Sequence, residues 1–389
     1  MKIGIISQSP LWTTGFGVTC NRIAHSLINS GHTVCCFGLG EGEDSNEYPF
    51  KIYQVDWPQA YNRLSVFLRE ENPDTILINF DINAVAYFIN YCKLLKWNKK
   101  IFAHLVMDGF PVYEKLLEPL REIDGIIVPT KSSKKYLRSE GITKVYYAPH
   151  GVYSKEFIPI KDKENIRLKL GLKGNLNNVF IVGVFAKNEE RKQIPKVLLA
   201  LHHLVYNLKQ KDILLYLHTQ AKPDINKGWD LEHIVNYLKL NRYVIFTAKN
   251  FRQDTGVNLV SHQGNDQQLT FIERINMCDL IVNIPFSGGF ELCNIEAQSC
   301  GVPLITINDD GNISEVVGES ALLINPIIKN IWGNGAIICM VDEIELAHKI
   351  LQVKNQPELR ESFRQKGFEN VRKFSWAKLE KAVLRMIAS

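Results

Sequence analysis

Nothing in these 389 residues approaches the roughly 18 consecutive apolar residues that a membrane span requires. No CxxC pair occurs among Cys20, Cys35, Cys36, Cys92, Cys278, Cys293, Cys300 and Cys339. A zinc site or a disulfide framework needs closer clusters, so reduced core thiols in a cytoplasmic protein are expected. The stretch from Met1 to Ser7 has one lysine and a short apolar run, Ile3 to Ile6, too little for a signal-peptide core and suited to a buried first strand. An excess of charge of one sign is also missing. Lys and Arg total 46 against 41 Asp and Glu, and a net +5 is too small to imply nucleic acid, though it suits an anionic substrate. There is no low-complexity tract.

What is present is a near-average globular composition, 46% hydrophobic and 22% charged, on a chain long enough for two α/β domains. Short apolar runs alternate with longer helically spaced segments, which predicts parallel sheets. In the first half the predicted strands are Lys2–Ile6, Thr33–Phe37, Thr75–Asn79, Ile101–Val106, Gly125–Val128 and Lys144–Ala148, with helices over Val18–Asn29 and Tyr61–Glu70. The charges at Lys161 to Glu164, then Gly171, Gly174 and the nearby asparagines, place a linker over Ile160–Asn178. A second series follows: Val179–Phe185, Ile213–Leu217, Tyr243–Phe246, Leu280–Ile284 and Pro303–Ile307. The tail from Phe374 to Ala388 reads as an amphipathic helix with Trp376, Leu379, Val383, Leu384 and Ile387 on its apolar positions.

Three segments could carry chemistry. Ser7 to Val18, SQSPLWTTGFGV, puts Gly15 and Gly17 just before a helix. It is either an ordinary loop or a place where backbone amides approach an anion; it lacks the third glycine of a dinucleotide fingerprint. Asn283 to Pro303, NIPFSGGFELCNIEAQSCGVP, leaves a strand, turns on Gly288 and Gly289, and enters a helix that stops at Gly301. Such a helix aims its positive end at the crevice beyond the strands, where a diphosphate would fit. Glu296 within it would either accept ribose hydroxyls or complement the helix dipole from the surface. Phe185 to Gln193, FAKNEERKQ, gathers Lys187, Arg191 and Lys192 after a strand, as stabilisation of a departing diphosphate would require; Glu189 and Glu190 also allow a merely solvated loop.

Together with MDGFP at 107–111, APHGVYSKEFIP at 148–159, GNISEVVGESALLINP and FSW at 374–376, these segments resemble the retaining glycosyltransferases of family 4, over nearly the whole chain. The resemblance implies a GT-B fold, two Rossmann-like doubly wound domains facing a central cleft. It implies an acceptor-side domain over 1–165, a nucleotide-sugar domain over 178–370 and a final helix over 371–389 that crosses back. The implied reaction moves a hexose from a UDP-glucose or GDP-mannose type donor to an acceptor hydroxyl, with retention and no obligatory metal. Lys187 and Lys192 map onto the family's diphosphate-binding basic pair. Its paired glutamates fall on Gly288 and Glu296, so the first, which touches the donor sugar, is missing; whether Glu291 substitutes stays open.

The resemblance further puts Gly15, Phe16 and Gly17, with Arg191 and the segment Gly289, Phe290, Glu291 and Leu292, around the donor. A polar residue, Asp108 or His104, stands at the reacting centre. Asp108 is favoured because it lies in a DG turn past the strand, although turn chemistry alone also explains it; His104 reads equally as a core histidine. His150 reads as structural or cleft-lining. The acceptor is left open among glycan, lipid-linked sugar, protein and metabolite. On Lys131–Ser139, Lys131, Lys134, Lys135 and Arg138 share a face that either meets anionic lipid at a peripheral membrane contact or is simply solvated. The alternative function is a catalytically idle GT-B protein that binds a nucleotide sugar or a partner. An NAD-dependent oxidoreductase would leave the second-half motifs unexplained, and a phosphorylase or epimerase on the same fold would need phosphate or a second sugar nucleotide.

Overall fold

The computed structural model describes residues 1–45, 48–170, 172, 179–223, 228–248, 269–309 and 311–389. It contains two compact units, Met1–Gly151 with Ile331–Ile337 and Ser375–Ser389, and Val152–Asn330 with Ile338–Phe374.

The first unit is built on seven parallel strands, β1 (Lys2–Gln8), β2 (Thr33–Leu39), β3 (Lys51–Val55), β4 (Thr75–Asp81), β5 (Lys100–Val106), β6 (Gly125–Val128) and β7 (Val145–Tyr147). Their order is β3-β2-β1-β4-β5-β6-β7. A sheet covered on both faces needs apolar side chains on both, so β1 reads as a run rather than an alternation, with Ile3, Ile5 and Ile6 all buried. The helix Gly15–Asn29 starts earlier than the expected Val18 because Thr14 caps it, its hydroxyl accepting from the Gly17 amide at 3.1 Å. Gly15 and Gly17 therefore lie in the helix's first turn, not in the loop before it. The helix Trp376–Ala388 belongs to this unit and buries Trp376, Leu379, Val383, Met386 and Ile387. Met386 takes the place in the buried stripe that the pattern gave to Leu384.

The second unit repeats the plan with six parallel strands, β8 (Phe180–Phe185), β9 (Ile213–Gln220), β10 (Val244–Ala248), β11 (Leu280–Asn283), β12 (Leu304–Ile307) and β13 (Leu322–Ile324), in the order β10-β9-β8-β11-β12-β13. In each sheet the order reverses beside its first strand, at β1/β4 and β8/β11, which opens a crevice beyond the strands' carboxyl ends.

The expected strands are all present, Gly125–Val128 with the same bounds and the others with ends shifted by one to three residues. Those not foreseen are β3, β13 and the short strands Ile328–Ile331 and Ile337–Met340. β3 sits at a sheet edge and carries Lys51 and Gln54, so it lacks an uninterrupted apolar run. The linker is also placed differently. The units divide between Gly151 and Val152, because Val152, Phe157, Ile166 and Leu170 pack into the second unit's core. Arg167, also buried, donates to the Met277 carbonyl at 2.8 Å and to Asp279 at 2.6 Å, fastening the helix Lys163–Lys169 to that unit. Gly171, Gly174 and the asparagines that suggested the linker lie outside the described residues.

Candidate functional site

At the β8/β11 reversal two loops meet. The loop after β8 carries Lys187, Glu189, Arg191 and Lys192; the loop after β11 runs through Gly288 and Gly289 to Glu291 and the helix Leu292–Ser299. Backbone ties hold them together: the Phe286 amide donates to the Arg191 carbonyl at 2.7 Å, and the Gln193 side-chain amide donates to the carbonyls of Ile284 at 2.8 Å and Cys339 at 3.0 Å. Asn188 fixes the other side of the first loop, donating to the carbonyls of Gln220 at 3.1 Å and Trp229 at 2.7 Å.

Glu291 is the centre of the site. Lys192 Nζ reaches its two carboxylate oxygens at 2.8 and 2.6 Å, Arg191 Nη1 donates to Oε1 at 3.0 Å, and Asn283 Nδ2 donates to Oε2 at 3.2 Å. Burial alone would raise this carboxyl, but Lys192 and Arg191 outweigh it and bring it down to about 2. Glu291 heads the helix at φ 60°, a left-handed conformation that favours glycine, and its side chain makes no capping bond. Glu189 pairs with Lys187 at 3.0 Å and with Arg191 Nε at 3.4 Å. The basic cluster is therefore graded: the Lys187 side chain is 41% exposed and that of Lys192 only 9%.

Behind Glu291 an amide chain runs inward. Asn283 also donates to Asn294 Oδ1 at 2.7 Å, and the buried Asn294 Nδ2 has no acceptor among the described residues. Glu296 lies half-buried in the same helix, and burial lifts its carboxyl to about 7. Gly289 and the buried Phe290 lead into the turn, and the Phe290 ring packs edge-on to Phe374 with centroids 5.5 Å apart. Asn283 and Asn294 escaped the sequence reading, although an asparagine closing the apolar run Leu280–Val282 was a visible signal.

The first unit's reversal point holds a polar chain that was likewise missed. Asn79, at the end of β4, donates to Ser7 Oγ at 2.8 Å and to the Phe16 carbonyl at 3.0 Å, and its Oδ1 accepts from His104 Nδ1 at 2.7 Å. With the proton on Nδ1, His104 Nε2 accepts from His150 Nε2 at 3.2 Å. His104 is wholly buried inside β5 and burial lowers it to about 3, so it is a neutral, hydrogen-bonded histidine. Asp108 is half-buried in the bend that follows. Gly17 has an internal reason to be glycine: a Cβ there would stand 2.1 Å from the Trp12 carbonyl oxygen. Gly15 is exposed and Phe16 half-buried, its ring 5.5 Å from that of Phe80.

On the helix Lys131–Ser139, Lys131, Lys135 and Arg138 are exposed while Lys134 is half-buried. Among the described residues no helix is long and apolar enough to cross a membrane, and no three His, Cys, Asp or Glu side chains gather as a metal site.

Residues 239–370, about a third of the chain, match the family model described as glycosyl transferases group 1. That stretch includes the Gly288–Glu296 segment but not the basic loop after β8. The glycosyltransferase class expected from the motifs agrees with this match. No curated protein matches the sequence. Among solved structures, sucrose-phosphate synthase from Thermosynechococcus elongatus aligns with a TM-score of 0.75 at 17% identity, over 100% of this chain and 98% of that one. HepE from Anabaena, in complex with UDP and glucose, aligns at 0.71 and 15%, over 100% of both chains. An α,α-trehalose-phosphate synthase (UDP-forming) from Burkholderia vietnamiensis aligns at 0.66 and 13%, again over 100% of both. At these identities the likeness is one of fold, and the fold is GT-B.

Proposed function

We propose that this chain transfers a hexose from a nucleoside-diphosphate sugar, of the UDP-glucose or GDP-mannose type, to an acceptor hydroxyl, with retention of configuration and without an obligatory metal. The observation that carries the reading is the placement of Lys192 and Arg191, after β8, against the amino end of the helix Leu292–Ser299 at the strand-order reversal. A diphosphate in that crevice would take two cations and the helix's free amides. Charge building on the leaving group would then be met by fixed dipoles and cations without reorganisation. Glu296 would accept the ribose hydroxyls. Asp108 would stand at the reacting centre, with His104 and Asn79 orienting the residues behind it, and Gly15–Gly17 would contribute helix-end amides. The match of residues 239–370 and the UDP and glucose bound to HepE support a sugar nucleotide over other diphosphates.

Calorimetric titration of UDP-glucose, GDP-mannose, UDP and GDP in the presence of EDTA tests this. One donor should bind, and Lys192→Ala should weaken it about 10- to 100-fold, the worth of a charge-assisted hydrogen bond. Glu296→Ala should weaken it about tenfold. Unchanged binding in both variants would remove the donor site from this crevice. A second reading, an idle GT-B protein that binds a sugar nucleotide without turning it over, is favoured by one observation, glycine at 288 where the resembled family has a glutamate. Hydrolysis or transfer with any acceptor rules it out.

A further inference from the structure

Gly288 and Glu291 are each unusual alone and make sense as a pair. Glycine at 288 is not demanded by backbone shape, since its φ is not in the left-handed region, whereas Glu291 occupies a left-handed φ of 60° where glycine would be at ease. What demands glycine at 288 is the Glu291 side chain itself. A Cβ on residue 288 would lie 2.6 Å from Glu291 Oε1 and 3.0 Å from its Cγ. Glu291 thus fills the volume into which a residue-288 side chain would project, and there its carboxylate collects Lys192, Arg191 and Asn283.

The same two cations are those that the proposed function gives to the donor diphosphate, on which this inference rests. Lys192 and Glu291 are both nearly buried, with side chains 9% and 6% exposed, so neither is readily compensated by solvent. A carboxylate and a phosphate offer the same kind of paired anionic oxygens to a lysine and an arginine. We propose that Glu291 is a resident anion, which holds Lys192 and Arg191 in position while the site is empty and competes with a diphosphate for them. A bare diphosphate, with no sugar to add contacts, would then bind poorly, and an intact donor would displace or share the carboxylate only by adding contacts elsewhere. Glu291 would accordingly set discrimination between sugar nucleotide and released nucleotide, favouring product departure.

The test is titration of inorganic pyrophosphate, UDP and GDP into four proteins at low ionic strength with EDTA: wild type, Glu291→Gln, Glu291→Gly, and Gly288→Glu combined with Glu291→Gly. Glu291→Gln keeps the shape and removes the charge; Glu291→Gly relieves the backbone, so it covers the case in which the glutamine variant folds poorly. Both should bind pyrophosphate and one nucleoside diphosphate at least tenfold more tightly than wild type. The double variant, which returns a carboxylate to the shared volume, should fall back toward wild-type affinity. If wild type binds nucleotide and both single variants bind it equally or more weakly, the resident-anion role is wrong while the donor site stands. A double variant that binds as tightly as Glu291→Gly would overturn the shared-volume argument. If no protein binds any of the three probes, the donor site itself is misplaced and the inference falls with it.

Discussion

Glu296 is placed to report on its own occupancy. Burial raises its carboxyl to about 7, and among the described residues no cation or hydrogen-bond donor offsets that burial. A carboxyl whose folded pKa lies above the unfolded value favours the protonated fold, so the second unit loses stability as pH rises from about 4.5 through 7. Glu296→Gln should therefore stabilise that unit by roughly 1–2 kcal/mol at pH 8 and by little at pH 4, read from denaturant midpoints. Ligand binding should run the other way. In the proposed donor site ribose hydroxyls would donate to the ionised carboxylate, so donor affinity should rise between pH 6 and 8 and binding should release a fraction of a proton. Titration in buffers of different ionisation enthalpy measures that proton. An observed enthalpy independent of buffer would separate Glu296 from the ribose. Glu291, held at about 2 by Lys192 and Arg191, stays ionised throughout this range and does not obscure the reading.

Among the elements, the carboxyl-terminal helix Trp376–Ala388 is fastened to the first unit through a glycine that the sequence displayed without its reason. A Cβ on Gly151 would fall 2.0 Å from the Trp376 amide nitrogen and 2.6 Å from the Ser375 carbonyl carbon, both backbone atoms that cannot turn aside. The Trp376 ring meanwhile stacks on His150, centroids 5.8 Å apart. Gly151→Ala should cost about 2–4 kcal/mol and expose the last helix to proteolysis, since overpacking against backbone leaves no rotamer escape. Gly125→Ala is the control: its Cβ would meet Met386 Cγ at 3.1 Å, the side of a flexible chain, and should cost less. What was legible beforehand follows from the same distinction. Strands buried on both faces announce themselves as apolar runs, and the loops at their ends follow, so Lys192 and Glu296 could be singled out. The contacts that give Gly151 and Glu291 their meaning join residues far apart in the chain, Lys192 and Glu291 by 99 positions, and no local pattern encodes them. Part of the span Ile160–Asn178 was misread for a related reason: its consecutive charges suggested a linker, while Ile166 and the buried Arg167 were committed to a core formed by later segments.

Across the whole molecule, both units keep neutral histidines where water does not reach. Burial lowers His104 in the first unit and His218 in the second to about 3, and it holds His150 well below its usual value, with His104 adding to the effect. An unfolded histidine takes up a proton below about 6.5, and these folded ones do not until far lower. The unfolded state therefore binds more protons across that interval, and stability falls as pH drops from about 6.5, by about 1.4 kcal/mol per pH unit for each such histidine. Carboxylates with lowered folded values, Glu71 and Glu291 at about 2, add the same sign only below about 4.5. Acid unfolding should thus begin well above the carboxylate range and steepen within it. The first unit carries two of these histidines and should lose stability steeply between pH 6.5 and 4.5, whereas in the second unit the raised carboxyl of Glu296 largely offsets His218 over the same interval and leaves a much flatter slope. The pairing of His104 with His150 sharpens the effect, because protonating His104 Nε2 would set two donors against each other across their 3.2 Å contact. Thermal melts at half-unit pH intervals, following each unit's transition, would measure the two slopes. His104→Gln, which can still donate to Asn79, should roughly halve the first slope and leave the second unchanged; equal flattening of both would mean that the histidines are not its source.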